Sequence, residues 1–285
     1  MPDHAIIDAH VHLIDPSRIS YPWLGSVPSL NRAWSVADYD AATDGFAVAG
    51  MIFVEVDAAS HMAAAEAAFV SGLALAESRL VGMVASVALD RGQATDEALS
   101  AMRAQNPLLR GVRQLIQKHT GIPGWACRPA MVDGVRSLAP HGLVFDLCLY
   151  HPQLPDAVAL VRACPEVSFV LDHIGKPGIA AGLIDPWREN LTALAACPNV
   201  VCKISGVVTE SDHAGWTDDQ VAPYITYAMN LFGADRVMFG GDWPVSTLAT
   251  DFARWLLLVE RCATPFGGTF QAGLWSANAR RIYRV

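Results

Sequence analysis

The opening run AIIDAHVHL is apolar except for Asp8 and two histidines, His10 and His12, one residue apart. Successive side chains on a strand point to opposite faces, so the two imidazoles share a face and Val11 points away. Ile6, Ile7 and Val11 favour a strand, and no helix-period apolar stripe competes. Such a pair is half of a metal site or a catalytic pair, or else two core histidines bonded to backbone carbonyls. Asp8, Asp15 and the turn residues of IDPS lie close by, which places the pair where a strand opens into a loop and favours chemistry. A carboxylate occupies the matching position near the other end of the chain. Asp242, in MFGGDWP, comes directly after a buried-looking strand and behind Gly240 and Gly241, which let backbones approach closely.

The elements that must position these groups alternate along the chain. Strands are expected at AIIDAHVHL, GMIFVEVD, LVGMVASVAL, LRGVRQLIQ, GLVFDLCLY, VSFVLDHIG, NVVCKISGV and DRVMFGGDW. Helical patterns lie between most of them, from HMAAAEAAFVSGLALAES to DQVAPYITYAMNLFGA, and two more follow the last strand, TLATDFARWLLLVERC and GLWSANARRIYRV. The strands are near-continuous apolar runs, the mark of parallel strands covered on both faces. Eight strands with their helices in 285 residues fit a single (β/α)8 TIM barrel, an α/β fold taken as one domain over 1–285. A doubly wound open sheet would show a glycine-rich phosphate loop after the first strand, and HVHLIDP has none.

In a barrel the site lies at the C-terminal ends of the strands. That gathers His10 and His12, Glu55 and Asp57, Arg113, Gln114 and Gln117, Asp146, Tyr150 and His151, Asp172, His173 and Lys176, Lys203 and Ser205, and Asp242 with Trp243 into one ring. Each has a plainer reading: Glu55, Arg113 and Lys203 as an interior ion-pair layer, His151 as a brace for HPQLP, His173 as a structural histidine. Recurrence at the same end of successive strands weighs against that reading for the set, because polar groups in apolar strands cost free energy without partners or a task.

The ordered segments IIDAHVHLIDPSRISYPWL, LDHIGKP, CKISG, MFGGDWPV and NARRIY resemble the amidohydrolase superfamily across essentially the whole chain. Within it they resemble the sugar-lactonase branch, with L-fuconolactonase, rhamnonolactonase and 2-pyrone-4,6-dicarboxylate lactonase. The resemblance implies hydrolysis of a ring ester, with His10, His12, His173 and Asp242 as reaction centre. Two departures concern the substrate pocket. Gln114 stands where relatives often have histidine, and KHTGIPGW stands where they often carry an acidic segment.

Ring-ester hydrolysis needs an activated water, a polarised carbonyl and a stabilised oxyanion. Asp242 is the expected general base, and His10, His12 and His173 polarise the carbonyl directly or through a metal. Arg113 and Lys203 are expected to hold developing charge or product carboxylate, and Tyr21, Trp23 and Trp243 to form a wall for a small ring. Glu55 and Gln114 complete the expected substrate contacts, while Lys118, beyond strand four, is expected to matter less. A divalent ion, zinc foremost, would take His10, His12 and Asp242, with Glu55, His151 or His173 as further candidate ligands; catalysis without metal stays open. The competing readings are a decarboxylase acting on an unsaturated or aromatic acid and a barrel that only binds a ligand.

Bulk properties narrow the partners. The chain is 52% hydrophobic and 17% charged with a net charge of −8, which argues against nucleic acid and anionic membrane as partners; the partner that the resemblance implies is a small lactone. No apolar stretch approaches the ~20 residues of a membrane span, and the N-terminus lacks the pattern of a signal peptide. Six cysteines without C-x-x-C spacing suggest a reduced, cytoplasmic setting. Trp275 suits either the core or a subunit interface, so a homodimer is among the open alternatives.

Overall fold

The computed structural model describes residue 2 and residues 4–285. Eight parallel strands lie in sequence order, β1 (Ile6–Val11), β2 (Val48–Val54), β3 (Leu80–Ser86), β4 (Leu109–Arg113), β5 (Val144–Leu147), β6 (Phe169–Leu171), β7 (Val200–Ile204) and β8 (Val237–Phe239). The barrel closes beyond the end of β8, where the Asp242 amide donates to the His10 carbonyl (2.8 Å) and the His12 amide to the Trp243 carbonyl (2.8 Å). The expected (β/α)8 architecture is the observed one. No helix among the described residues is long and apolar enough to cross a membrane.

Helices form where the apolar spacing predicts them, among them Ala63–Leu73, Leu154–Ala163, Asp218–Phe232 and Phe252–Ala263. Two were not foreseen, Val36–Ala42 and the five-residue Gly268–Ala272. Val36–Ala42 is only seven residues long, but a capping box starts it: Ser35 accepts from the Asp38 amide and the Asp38 carboxylate accepts from the Ser35 amide. The S-x-x-D spacing was the signal available for it.

Ile7, Ala9, Ile52, Val54, Val84, Val144, Val170, Val201 and Met238 fill the barrel interior, with Ala279 and Tyr283 of the last helix packed against them. A second, larger cluster fills the space between strands and helices. Trp275 belongs there, fully buried with its ring 5.0 Å from Phe239, and is core.

β1 departs from strict alternation. Asp8 pairs with Met51 and Val11 with Phe53, so three steps on β1 match two on β2. This bulge lets His10 join the interior although Ile7 and Ala9 already face it, and bulges next to active sites re-aim side chains in this way.

Candidate active site

The floor of the site is a buried charge network. Arg113 donates from Nε to Glu55 Oε1 (2.6 Å) and from Nη1 to Asp172 Oδ2 (3.2 Å). Lys203 donates to Asp146 Oδ2 (2.5 Å) and lies 3.1 Å from Asp172 Oδ1. The Tyr283 hydroxyl donates to Asp146, and His10 Nδ1 lies 3.3 Å from Asp172 Oδ1. Burial favours the neutral form of Lys203, but Asp146 and Asp172 outweigh it and raise its pKa.

This network corrects two expectations. Lys203 is fully buried beneath the site and does not reach a substrate. Glu55 is likewise buried, with Oε1 given to Arg113 and Oε2 to the Asp57 amide, which leaves it neither a substrate contact nor a metal ligand. Both are the ion-pair layer of the plainer reading.

Above the floor, three imidazoles surround one carboxylate oxygen. His12 Nε2 lies 3.4 Å, His10 Nε2 3.6 Å and His173 Nε2 4.0 Å from Asp242 Oδ1. His12 Nδ1 is 2.8 Å from the Val54 carbonyl and must donate to it, so in the neutral ring its Nε2 presents a lone pair. His173 Nδ1 meets the Ser205 hydroxyl at 2.9 Å. Burial pushes the His173 pKa down to about 4 against the attraction of Asp242, and burial holds His10 well below the usual imidazole range. For Asp242 burial works upward, but the neighbouring His173, His12 and His10 outweigh it and keep the carboxylate well below its usual range.

The backbone pays for this convergence with strain. Asp242 has φ +52°, and His173, Ile174, Gly175 and Lys176 form a left-handed turn with φ of +54°, +48°, +75° and +46°. Non-glycine residues rarely adopt such angles, and they concentrate at functional sites. Gly206 makes the close packing possible, since a Cβ there would stand 2.2 Å from Asp242 Oδ2.

A cavity of roughly 220 Å³ opens over this centre, lined by His12, His173 and Asp242 with Trp23, Asp57, Arg113, Gln117 and Lys176. Trp23 lines the cavity, with its indole donating to the Val56 carbonyl (2.8 Å). Four expected pocket features lie elsewhere. Tyr21 is buried and its hydroxyl faces Glu66. Trp243 is buried edge-on against Trp34 and Tyr39. Gln114 turns away and accepts from the Leu89 amide (2.8 Å). KHTGIPGW contributes no lining residue, although Lys118 pairs with the lining Asp57, a larger part than its position suggested. His151 lies in a neighbouring hollow with Tyr150 and Glu210, outside the cluster that could hold a metal.

Asp57, Gln117 and Lys176 were read as strand-end residues but not as substrate contacts. Lys176 donates to Gln117 Oε1 (2.7 Å) and lies 3.8 Å from Glu210. Their signal was position just past β2, β4 and β6, which Glu55 and Gln114 shared.

Among the described residues, two groups of side chains have donor atoms within 4.8 Å of one another and could hold an ion: His10, His12 and Asp242, and His10, Asp172 and His173. Ligands at ~2.0–2.1 Å from a tetrahedral zinc stand roughly 3.3–3.5 Å apart. Of the separations in the first group, 3.4 Å matches that spacing and 3.6 Å lies just above it. The residues present fit a divalent ion. Arg113 Nη1, 3.5 Å from His10 Nε2, would lose only a long contact there.

The family described as amidohydrolase matches residues 7–285. An L-fucono-1,5-lactonase from Burkholderia multivorans is 32% identical over 293 residues, covering 98% of this chain and 96% of its own. One from Burkholderia ambifaria is 36% identical over 191 residues, 65% of this chain and 64% of its own. Among solved structures, an amidohydrolase from Burkholderia multivorans with bound zinc superposes with a TM-score of 0.88 at 31% identity, covering 99% of this chain and 100% of the other.

Proposed function

The chain belongs to the amidohydrolase family, and from that premise we propose that it hydrolyses the internal ester of a small, uncharged sugar lactone. The observation that carries the reading is the Asp242 carboxylate held among three imidazole nitrogens at the barrel mouth, 3.4–4.0 Å from Oδ1. A relative of matching length named as L-fucono-1,5-lactonase supports the reaction class.

In this reading Asp242 takes the proton of a water as that water adds to the lactone carbonyl. The ring C–O bond then breaks, and the proton passes to the leaving ring oxygen, giving one open-chain hydroxy acid. His173, neutral and braced by Ser205, points Nε2 toward the reacting centre and orients the water or carbonyl. Arg113 lines the cavity where charge develops on the carbonyl oxygen. A depressed pKa keeps Asp242 ionised but makes it a weak base, so the water itself must be acidified. His10, His12 and Asp242 would hold a divalent ion, zinc in our reading, which when bound would supply that acidity and polarise the carbonyl.

The charges of the pocket's own side chains favour a neutral substrate over a dicarboxylate. Its two lining cations are already matched, Arg113 by Glu55 and Asp172 and Lys176 by Glu210, and Asp57 and Asp242 line it as well. The cavity lies below the ~300–1,000 Å³ of drug-sized sites, which suits one small ring.

Acid release followed with a pH indicator over L-fucono-1,5-lactone, L-rhamnono-γ-lactone and 2-pyrone-4,6-dicarboxylate tests the proposal. Turnover of the neutral lactones above the dicarboxylate is expected. Release of carbon dioxide from aromatic acids, with no lactone opened, would replace it by the decarboxylase reading.

A further inference from the structure

The short segment after β2 spends each of its residues on the site. Glu55 holds Arg113, the Val56 carbonyl holds the Trp23 indole, and Asp57 lines the cavity between them. Asp57 sits at φ +55° with its amide donating to Glu55 Oε2 (2.8 Å). A non-glycine residue keeps that conformation only where its surroundings over-determine it, and such positions cluster at ligand contacts. The carboxylate is fixed by Lys118, reaching over from the segment after β4, through Oδ1. No hydrogen bond among the described residues engages Oδ2. Asp57 lies in neither of the side-chain groups that could hold an ion, which separates it from the reacting centre.

We infer that Asp57 is the specificity-determining residue that reads a ring hydroxyl of the substrate, with Lys118 as its positioning residue; this rests on the lactonase reading. An ionised carboxylate only accepts hydrogen bonds, and an alcohol O–H is the donor that satisfies it. Lys118, which does not line the cavity, holds Oδ1 in place and leaves Oδ2 to accept from the hydroxyl. Trp23, bonded to the Val56 carbonyl beside Asp57, also lines the cavity, and its indole would pack against the ring carbons. An aromatic ring beside a carboxylate held in place suits a polyhydroxylated ring and gives an unsubstituted one no advantage.

The test compares a six-carbon aldono-1,5-lactone with δ-valerolactone, the same ring ester without hydroxyls. Asp57→Gly removes the carboxylate while accommodating the positive φ, and Asp57→Asn keeps the shape. For Asp57→Gly, kcat/KM on the hydroxylated lactone should fall roughly 10–100-fold, the scale of a lost charge-assisted hydrogen bond. The loss should appear mainly in KM and be at least about tenfold larger than the loss on δ-valerolactone. Asp57→Asn should recover part of it, and Lys118→Met should show a smaller KM effect of the same kind. If the wild type opens hydroxylated lactones but ignores δ-valerolactone, the KM rise against a smaller change in kcat carries the test alone. Equal losses on both lactones, a loss in kcat only, or no change would overturn the role of Asp57 and leave the lactonase reading standing. A wild-type protein that opens no lactone overturns the lactonase reading itself, and this inference with it.

Discussion

His12 Nε2 and Asp242 Oδ1 face each other at 3.4 Å while the other His12 nitrogen donates to the Val54 carbonyl. A lone pair and a carboxylate oxygen at that distance repel unless positive charge lies between them. A proton on His12 or a metal ion would serve, and His10 Nε2 at 3.6 Å favours the ion. Elemental analysis of the purified protein should find about one divalent ion per chain. Chelation should remove it together with most lactone turnover, and His12→Ala should lower metal content even where no activity is measured. A metal-free preparation with full turnover would contradict this.

Asp242→Asn retains shape and removes the base. Turnover should fall about 10²–10⁴-fold, the usual scale for losing a general base. Activity is to be normalised to folded protein by circular dichroism on the same preparation. A variant with normal turnover per folded molecule would end the proposed mechanism.

Lys203→Met tests the floor. The substitution leaves Asp146 with only the Tyr283 hydroxyl and Asp172 with Arg113 and the neutral His10. Stripping one partner from a buried ion cluster costs on the order of 3–5 kcal/mol. Urea denaturation should show that loss, and adding Asp146→Asn should return part of it. A stability unchanged by Lys203→Met would mean that the network holds little.

Glu66 sets a dependence on pH. Burial, with the repulsion of Glu55, raises its pKa from 4.5 to about 8, against a bond from the Val56 amide. Between those values the folded protein holds a proton that the unfolded chain has lost, so stability falls as pH rises from about 4.5 to about 8. Glu66→Gln can still accept from Val56 and carries no such charge. Its stability advantage over the wild type should be larger at pH 8.5 than at pH 5, by up to a few kcal/mol at ~1.4 per pKa unit. Denaturation curves at the two pH values decide it, and an advantage that does not grow with pH would show that Glu66 is not protonated in the fold.

What the sequence determined by itself was the barrel and the four polar side chains that converge at its mouth. Parallel strands buried on both faces must be continuously apolar, so His10, His12, His173 and Asp242 stood out against Ile, Val, Leu and Phe. The side of the wall on which the remaining polar residues act belonged to the tertiary structure. Glu55 and Asp57 both lie near the end of β2, and Gln114 and Gln117 near the end of β4, yet only the second of each pair lines the cavity. Their directions are set by the Arg113 ion pair, by the Leu89 amide and by a backbone forced to positive φ at Asp57. Tyr21 and Trp243 are lost to the pocket for a similar reason, because packing against Glu66 and against Trp34 and Tyr39 claims rings that composition alone would offer to a substrate. The bulge in β1 that turns His10 inward depends on the register with β2, a relation between segments about forty residues apart that local spacing does not carry.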